Sequence, residues 1–91
     1  MKRQYVDLKQ YHRLQVESPK GIELVIDVLR LTSDAVNLRV ANSFGSRIVT
    51  LCEETYVRFG TVSFHNYGNR GRGTRTHVCL EMCNDWRYSL R

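Results

Sequence analysis

The chain has a single proline, Pro19, and its only low-complexity stretch is the glycine-rich segment at 68–73. It therefore carries no proline-rich spacer and no flexible linker between domains. At 91 residues it has length for one core only, so we read 1–91 as a single compact domain. Long apolar runs are also missing. Asp27 interrupts the most hydrophobic region, well short of the roughly 20 apolar residues of a membrane-spanning helix. Lys2 and Arg3 are followed by no apolar stretch, so the first ten residues do not read as a secretion signal. The three cysteines, Cys52, Cys79 and Cys83, are an odd number and too sparse for a disulfide framework. Free thiols in a reducing compartment are the consequence, and the expected location is cytoplasmic, with no membrane partner.

Lysine is the next scarcity. Only Lys2, Lys9 and Lys20 contribute to the 14 basic residues, and arginine supplies the rest of a net charge of +5. The excess is uneven: residues 1–55 hold eight Lys/Arg against seven Asp/Glu, whereas residues 56–91 hold six Arg against Glu81 and Asp85. Arginine forks onto phosphate or carboxylate and stacks on flat rings, so an arginine-only basic end suits an anionic partner. A charge of this size also keeps a small domain soluble, which requires no partner at all.

The hydrophobic pattern divides the chain. Residues 5–16 read as one or two strands. Ser18-Pro19 then matches a helix start, with Ser as N-cap and Pro at the first helical position. Lys20, Glu23, Asp27, Arg30 and Asp34 recur at intervals of three and four, which predicts an amphipathic helix over about 19–31. The competing reading is a strand, because Ile22, Val25, Ile26 and Val28 are β-branched. From Ala35 onward Val36, Leu38 and Val40 alternate with polar residues, residues 42–46 form a turn around Gly45, and 47–52 return as a strand. Residues 56–65 read as another strand with a bulge at Gly60, and 77–83 alternate cleanly with Val78, Leu80 and Met82 on one face. The predicted fold is α+β, one amphipathic helix packed on an antiparallel sheet of about four to five strands.

The segment 67–76 stands out chemically. Tyr67-Gly68-Asn69-Arg70-Gly71-Arg72-Gly73-Thr74-Arg75 carries three Arg and three Gly in nine residues, and reads as a flexible hairpin loop. Glycine lets a backbone approach a ligand closely, Arg forks onto phosphate, and Tyr67 and His65 offer rings on which bases stack. Arg70, Arg72 and Arg75, with Tyr67 and His65, are the candidate anion-binding residues; Arg58 and Arg87 extend the patch if their strands lie side by side. A solvated loop whose arginines only blunt an exposed sheet edge accounts for the same residues without a ligand.

Other constellations are weaker. His77, Cys79 and Cys83 share one face of a strand, but His77 and Cys83 would stand about 20 Å apart along it, so one zinc cannot reach both. No metal and no cofactor are expected. His12, His65 and His77 with tyrosines and arginines supply the groups a metal-independent ribonuclease uses, without a spacing that fixes a site. Near the end, Trp86 and Tyr88 are candidates for a protein-interface anchor, although the more ordinary role of Trp86 is to close the core under the sheet.

These features point to a small basic binding protein, not an enzyme, that engages RNA, DNA or a nucleoprotein complex through the Arg/Gly segment. The alternative is an inhibitor or adaptor of the phage or mobile-element type, docking on an acidic or nucleic-acid-binding surface of a protein target. A small ribonuclease is the third reading, and exposed strand edges leave a homodimer open.

Overall fold

The computed structural model describes residues 2–8, 11–32, 35–52, 55–69 and 73–91. Nine strands account for most of them: β1 (Lys2–Asp7), β2 (Arg13–Ser18), β3 (Gly21–Leu31), β4 (Ala35–Asn42), β5 (Gly45–Cys52), β6 (Thr55–Phe59), β7 (Val62–Asn69), β8 (Gly73–Met82) and β9 (Arg87–Leu90). They form two antiparallel sheets, one of four strands ordered β1-β8-β7-β6 and one of five ordered β5-β4-β3-β2-β9. Among the described residues no helix is long and apolar enough to cross a membrane.

The expected helix over 19–31 does not exist, and with it the α+β class falls: the protein is all-β. Residues 21–31 form the long central strand β3, paired with β2 on one side and β4 on the other. The two neighbours between them cover the strand from end to end, β2 over Gly21–Asp27 and β4 over Val25–Leu31, and the β-branched residues fit a pleated surface better than a helical one. Leu24 and Ile26 point inward and are buried, while the side chain of Asp27 meets Arg13 on the outward face. Ser18 and Pro19 start a turn, not a helix. The Lys20 amide donates to Ser18 Oγ at 3.1 Å, and Gly21 takes the positive φ of 124° that carries the chain into β3.

Irregularities in β3 explain its misleading spacing. The register shifts between Val16 and Glu17 against β3, and again between Val28 and Arg30 against β4. Each bulge inserts a residue and resets the alternation. Leu31 thereby falls opposite buried Val36, and Arg30 opposite Asn37.

The rest follows the alternation more directly. In β4, Val36, Leu38 and Val40 are buried, and the turn at 42–46 is closed by the Phe44 amide donating to Asn42 Oδ1 at 2.8 Å. Residues 56–65 are not one bulged strand but a hairpin, β6 and β7, turning at Gly60 with φ 58°. In β8, Val78, Leu80 and Met82 are buried, as the alternation requires.

The inward faces of both sheets merge into one core, with Leu14, Ile26 and Leu38 from one and Val62, Phe64 and Leu80 from the other all fully buried. Trp86 and Tyr88 pack partly buried against it. A polar staple joins the sheets at their β5–β7 side: Asn66 donates through Nδ2 to the carbonyls of Leu51 and Cys52, each at 3.0 Å, and accepts from the Thr76 hydroxyl at 3.0 Å.

Candidate nucleic-acid interface

The outward face of the four-stranded sheet is built by alternation. In β1, Gln4 and Val6 pair with buried Leu80 and Val78, so Arg3 and Tyr5 fall on the other side, opposite Glu81 and Cys79. In β6, Val57 and Phe59 pair with buried Phe64 and Val62, which turns Tyr56 and Arg58 outward. Two rows then cross the sheet. One runs Tyr5, Cys79, Ser63, Arg58; the other runs from position 7 through His77 and His65 to Tyr56.

The exposed rings are the notable part of this face. Tyr5 is 65% and Tyr56 62% exposed, two large rings presented to solvent on one face of the sheet. They sit on opposite edge strands, about 14 Å apart across the sheet. The ring of Tyr56 meets that of His65 edge-on at 6.0 Å between centroids, which holds it upright on the surface. Glu81 lies between the two arginines of the face, 3.4 Å from Arg3 and 3.9 Å from Arg58. One carboxylate thus orients two guanidinium groups and neutralises only one charge.

The sequence-derived site is partly gathered here. His65 and Arg58 lie on this face, and Tyr67 and Arg75 are cross-strand partners in the β7–β8 ladder that continues from it. The strands reach further into the expected loop at 67–76 than its composition suggested, with Asn69 paired to Gly73. Arg70 and Arg72 lie outside the described residues. Arg87 is elsewhere: it is on β9, opposite Glu17 of β2, in the other sheet. Arg58 and Arg87 are therefore not on adjacent strands, and no single patch forms through their pairing.

Trp86 and Tyr88, the interface candidates, both pack against the core, Tyr88 opposite buried Val16. Among the described residues no three His, Cys, Asp or Glu side chains converge to hold a metal ion. Cys52 and Cys83 are exposed, Cys79 half-buried, and all three are free thiols.

Sequence reasoning missed Tyr5, Tyr56 and Arg3. A signal existed in the alternation itself, which puts a large ring on the polar side of β1 and again of β6. The outward face of the five-stranded sheet makes the contrast. Its central row runs Arg13, Asp27, Arg39, Ile48, and among the described residues no aromatic ring lies on it. Arg13 Nε donates to Asp27 Oδ1 at 2.6 Å, and this bond, with the charge behind it, raises the Arg13 pKa further above its ordinary value. That face is basic but internally paired at its centre.

No protein-family model, no curated protein and no solved structure matches this chain.

Proposed function

We propose that the protein is a small binding module for single-stranded nucleic acid, with the outward face of the four-stranded sheet as a stacking platform and the Arg/Gly segment as a phosphate contact. The observation that carries this reading is the exposure of Tyr5 and Tyr56 on the face that also bears Arg3, Arg58 and His65. Exposed rings on a sheet cost apolar hydration and are useful when bases stack on them. Stacking of this kind contributes about 1–3 kcal/mol per base and tolerates any sequence. A duplex hides its bases, so a stacking platform favours single strands. Arg70, Arg72 and Arg75 would add sequence-independent phosphate contacts that weaken with salt.

The test is a titration of labelled single-stranded RNA, single-stranded DNA and duplex DNA at two salt concentrations. Salt-sensitive binding to single strands, lost when Tyr5 and Tyr56 are changed together, supports the reading. Absence of binding at low salt overturns it and turns attention to an acidic protein partner.

A second reading rests on one observation. His65 and His77 are direct cross-strand partners on the same face, beside Tyr56. Two imidazoles at a phosphate are the acid and base that metal-free RNA cleavage requires. Denaturing gels of the same RNA titrations distinguish it: strand scission in the presence of a chelator, abolished by His65→Ala or His77→Ala, would make the protein a ribonuclease.

A further inference from the structure

One end of the sandwich opens into a groove of about 630 Å³, within the size range of small-ligand sites. Its walls come from both sheets: Phe44 at the β4–β5 turn, Arg47 on β5, Arg58 and Phe59 on β6, the Gly60–Thr61 turn, and Trp86 ahead of β9. Three aromatic rings and two guanidinium groups therefore border one concavity. Phe44 is 97% exposed, an apolar ring held at a turn with no core to pack against.

Arg47 is the unusual residue. Its register opposite buried Val40 assigns it to the inward face of the five-stranded sheet, where the alternation of β5 continues with Val49 and Leu51. Its guanidinium carbon lies 5.1 Å from the centroid of the Phe59 ring, and it makes no ion pair among the described residues. Stacking on a ring leaves the in-plane N–H groups of a guanidinium available for a bidentate acceptor. Arg58 is drawn toward the same groove by its Nε hydrogen bond to the Gly60 carbonyl at 2.9 Å. Glu23, the acidic residue of the lining, accepts from the Ser18 hydroxyl at 2.5 Å. The balance of the groove is cationic and aromatic, which fits a planar ring bearing an anionic group.

We propose that this groove takes the phosphate-bearing terminal nucleotide of a single strand, with the base on the aromatic wall of Phe44 and Trp86 and the phosphate on Arg47 and Arg58. The choice of a strand end follows from continuity. Arg58 belongs both to the groove and to the outward face that carries Tyr5 and Tyr56, so a strand on that face leads to the groove. This proposal rests on the nucleic-acid reading above. It adds that the protein distinguishes phosphorylated from unphosphorylated ends.

Trp86 is the single tryptophan and lines the groove, so its emission, excited apart from the tyrosines, reports on ligand there. Two measurements separate the site from the face. In the first, adenosine monophosphate, adenosine and inorganic phosphate are titrated against the full chain while Trp86 emission is followed. A saturable change with the monophosphate, weaker with adenosine and lost in Arg47→Gln, is expected. In the second, matched oligonucleotides with a 5′-phosphate, a 3′-phosphate or hydroxyl ends are compared. One phosphorylated end should bind roughly 10-fold more tightly than the hydroxyl end, the effect of one charge-assisted contact. Arg47→Gln should erase that difference and leave the hydroxyl-ended strand unaffected, whereas Phe44→Ser should weaken phosphorylated and hydroxyl-ended strands alike, by removing one stacking wall of the groove. Phe44 is so exposed that its replacement cannot unfold the core, which guards against a folding artefact in the Arg47 variant. Equal affinity for all three ends, with strand binding intact, overturns the groove and spares the face. Loss of all strand binding together with a flat Trp86 titration overturns both.

Discussion

Thr76 donates its hydroxyl proton to Asn66 Oδ1 at 3.0 Å, and both side chains are buried, at 4% and 0% exposure. Asn66 spends its two Nδ2 protons on the carbonyls of Leu51 and Cys52 in the other sheet. A buried amide is tolerated only when its hydrogen bonds are made, and among the described residues no buried side-chain polar atom lacks a partner. The pair fixes how the sheets sit at the β5–β7 side, where hydrophobic contact alone specifies no register.

Asn66→Ala should accordingly lower stability by about 2–4 kcal/mol, since it removes three hydrogen bonds and strands the acceptors that remain. Thr76→Val should cost less, about 1–2 kcal/mol, because one bond is lost and shape is kept. Urea unfolding of both single variants and the double variant gives the coupling. A double variant whose loss equals the sum of the singles would show that the two residues do not act as a unit.

Gly60 holds φ at 58° in the β6–β7 turn, and a side chain there would meet no atom within 4 Å. Strain in a substituted residue is therefore purely a matter of backbone conformation. Gly60→Ala should destabilise by about 1 kcal/mol and Gly60→Asn by less, because Asn tolerates the left-handed region better. Thermal melts of the two variants check the order.

Replacing Tyr5 or Tyr56 by serine should change stability by no more than about 1 kcal/mol, for both are exposed and Tyr56 gives up one edge-on ring contact. Affinity for a single strand should fall roughly 5- to 100-fold for each, the equivalent of one stacked base. Fluorescence anisotropy at fixed salt measures this. A fall in stability without a fall in affinity would make the rings structural.

The Arg/Gly segment separates from the rings by its salt dependence. Changing Arg70, Arg72 and Arg75 to alanine together should reduce the slope of log affinity against log salt by about 2, at roughly 0.7 per lost phosphate contact on a single strand. Unfolding midpoints should stay near the parent value. A loss of several kcal/mol in stability would show that these arginines support the hairpin itself.

Several elements could be read directly because their signal is local. The alternation of Val36, Leu38 and Val40, that of Val78, Leu80 and Met82, and the turn at 42–46 each need only a few neighbouring residues to declare themselves. The 19–31 segment did not yield to the same reading. Its bulges at Val16/Glu17 and Val28/Arg30 shift the phase of alternation, so that Glu23, Asp27 and Arg30 recur at helix-like intervals while lying on a strand.

The sequence by itself determined a length sufficient for one core, an arginine-weighted charge concentrated toward the end, and the strands and turn from Ala35 to Cys52 together with the alternation of Val78, Leu80 and Met82. Those properties follow from composition and from a period of two, both available without knowing what each strand pairs with. Tertiary structure alone decided that residues 21–31 are a strand, that β6 and β9 belong to different sheets, and that Tyr5 shares a face with Arg58 and Tyr56. Strand pairing is a contact between distant segments, so which side chains share a surface is set by register across the sheet and not by proximity along the chain.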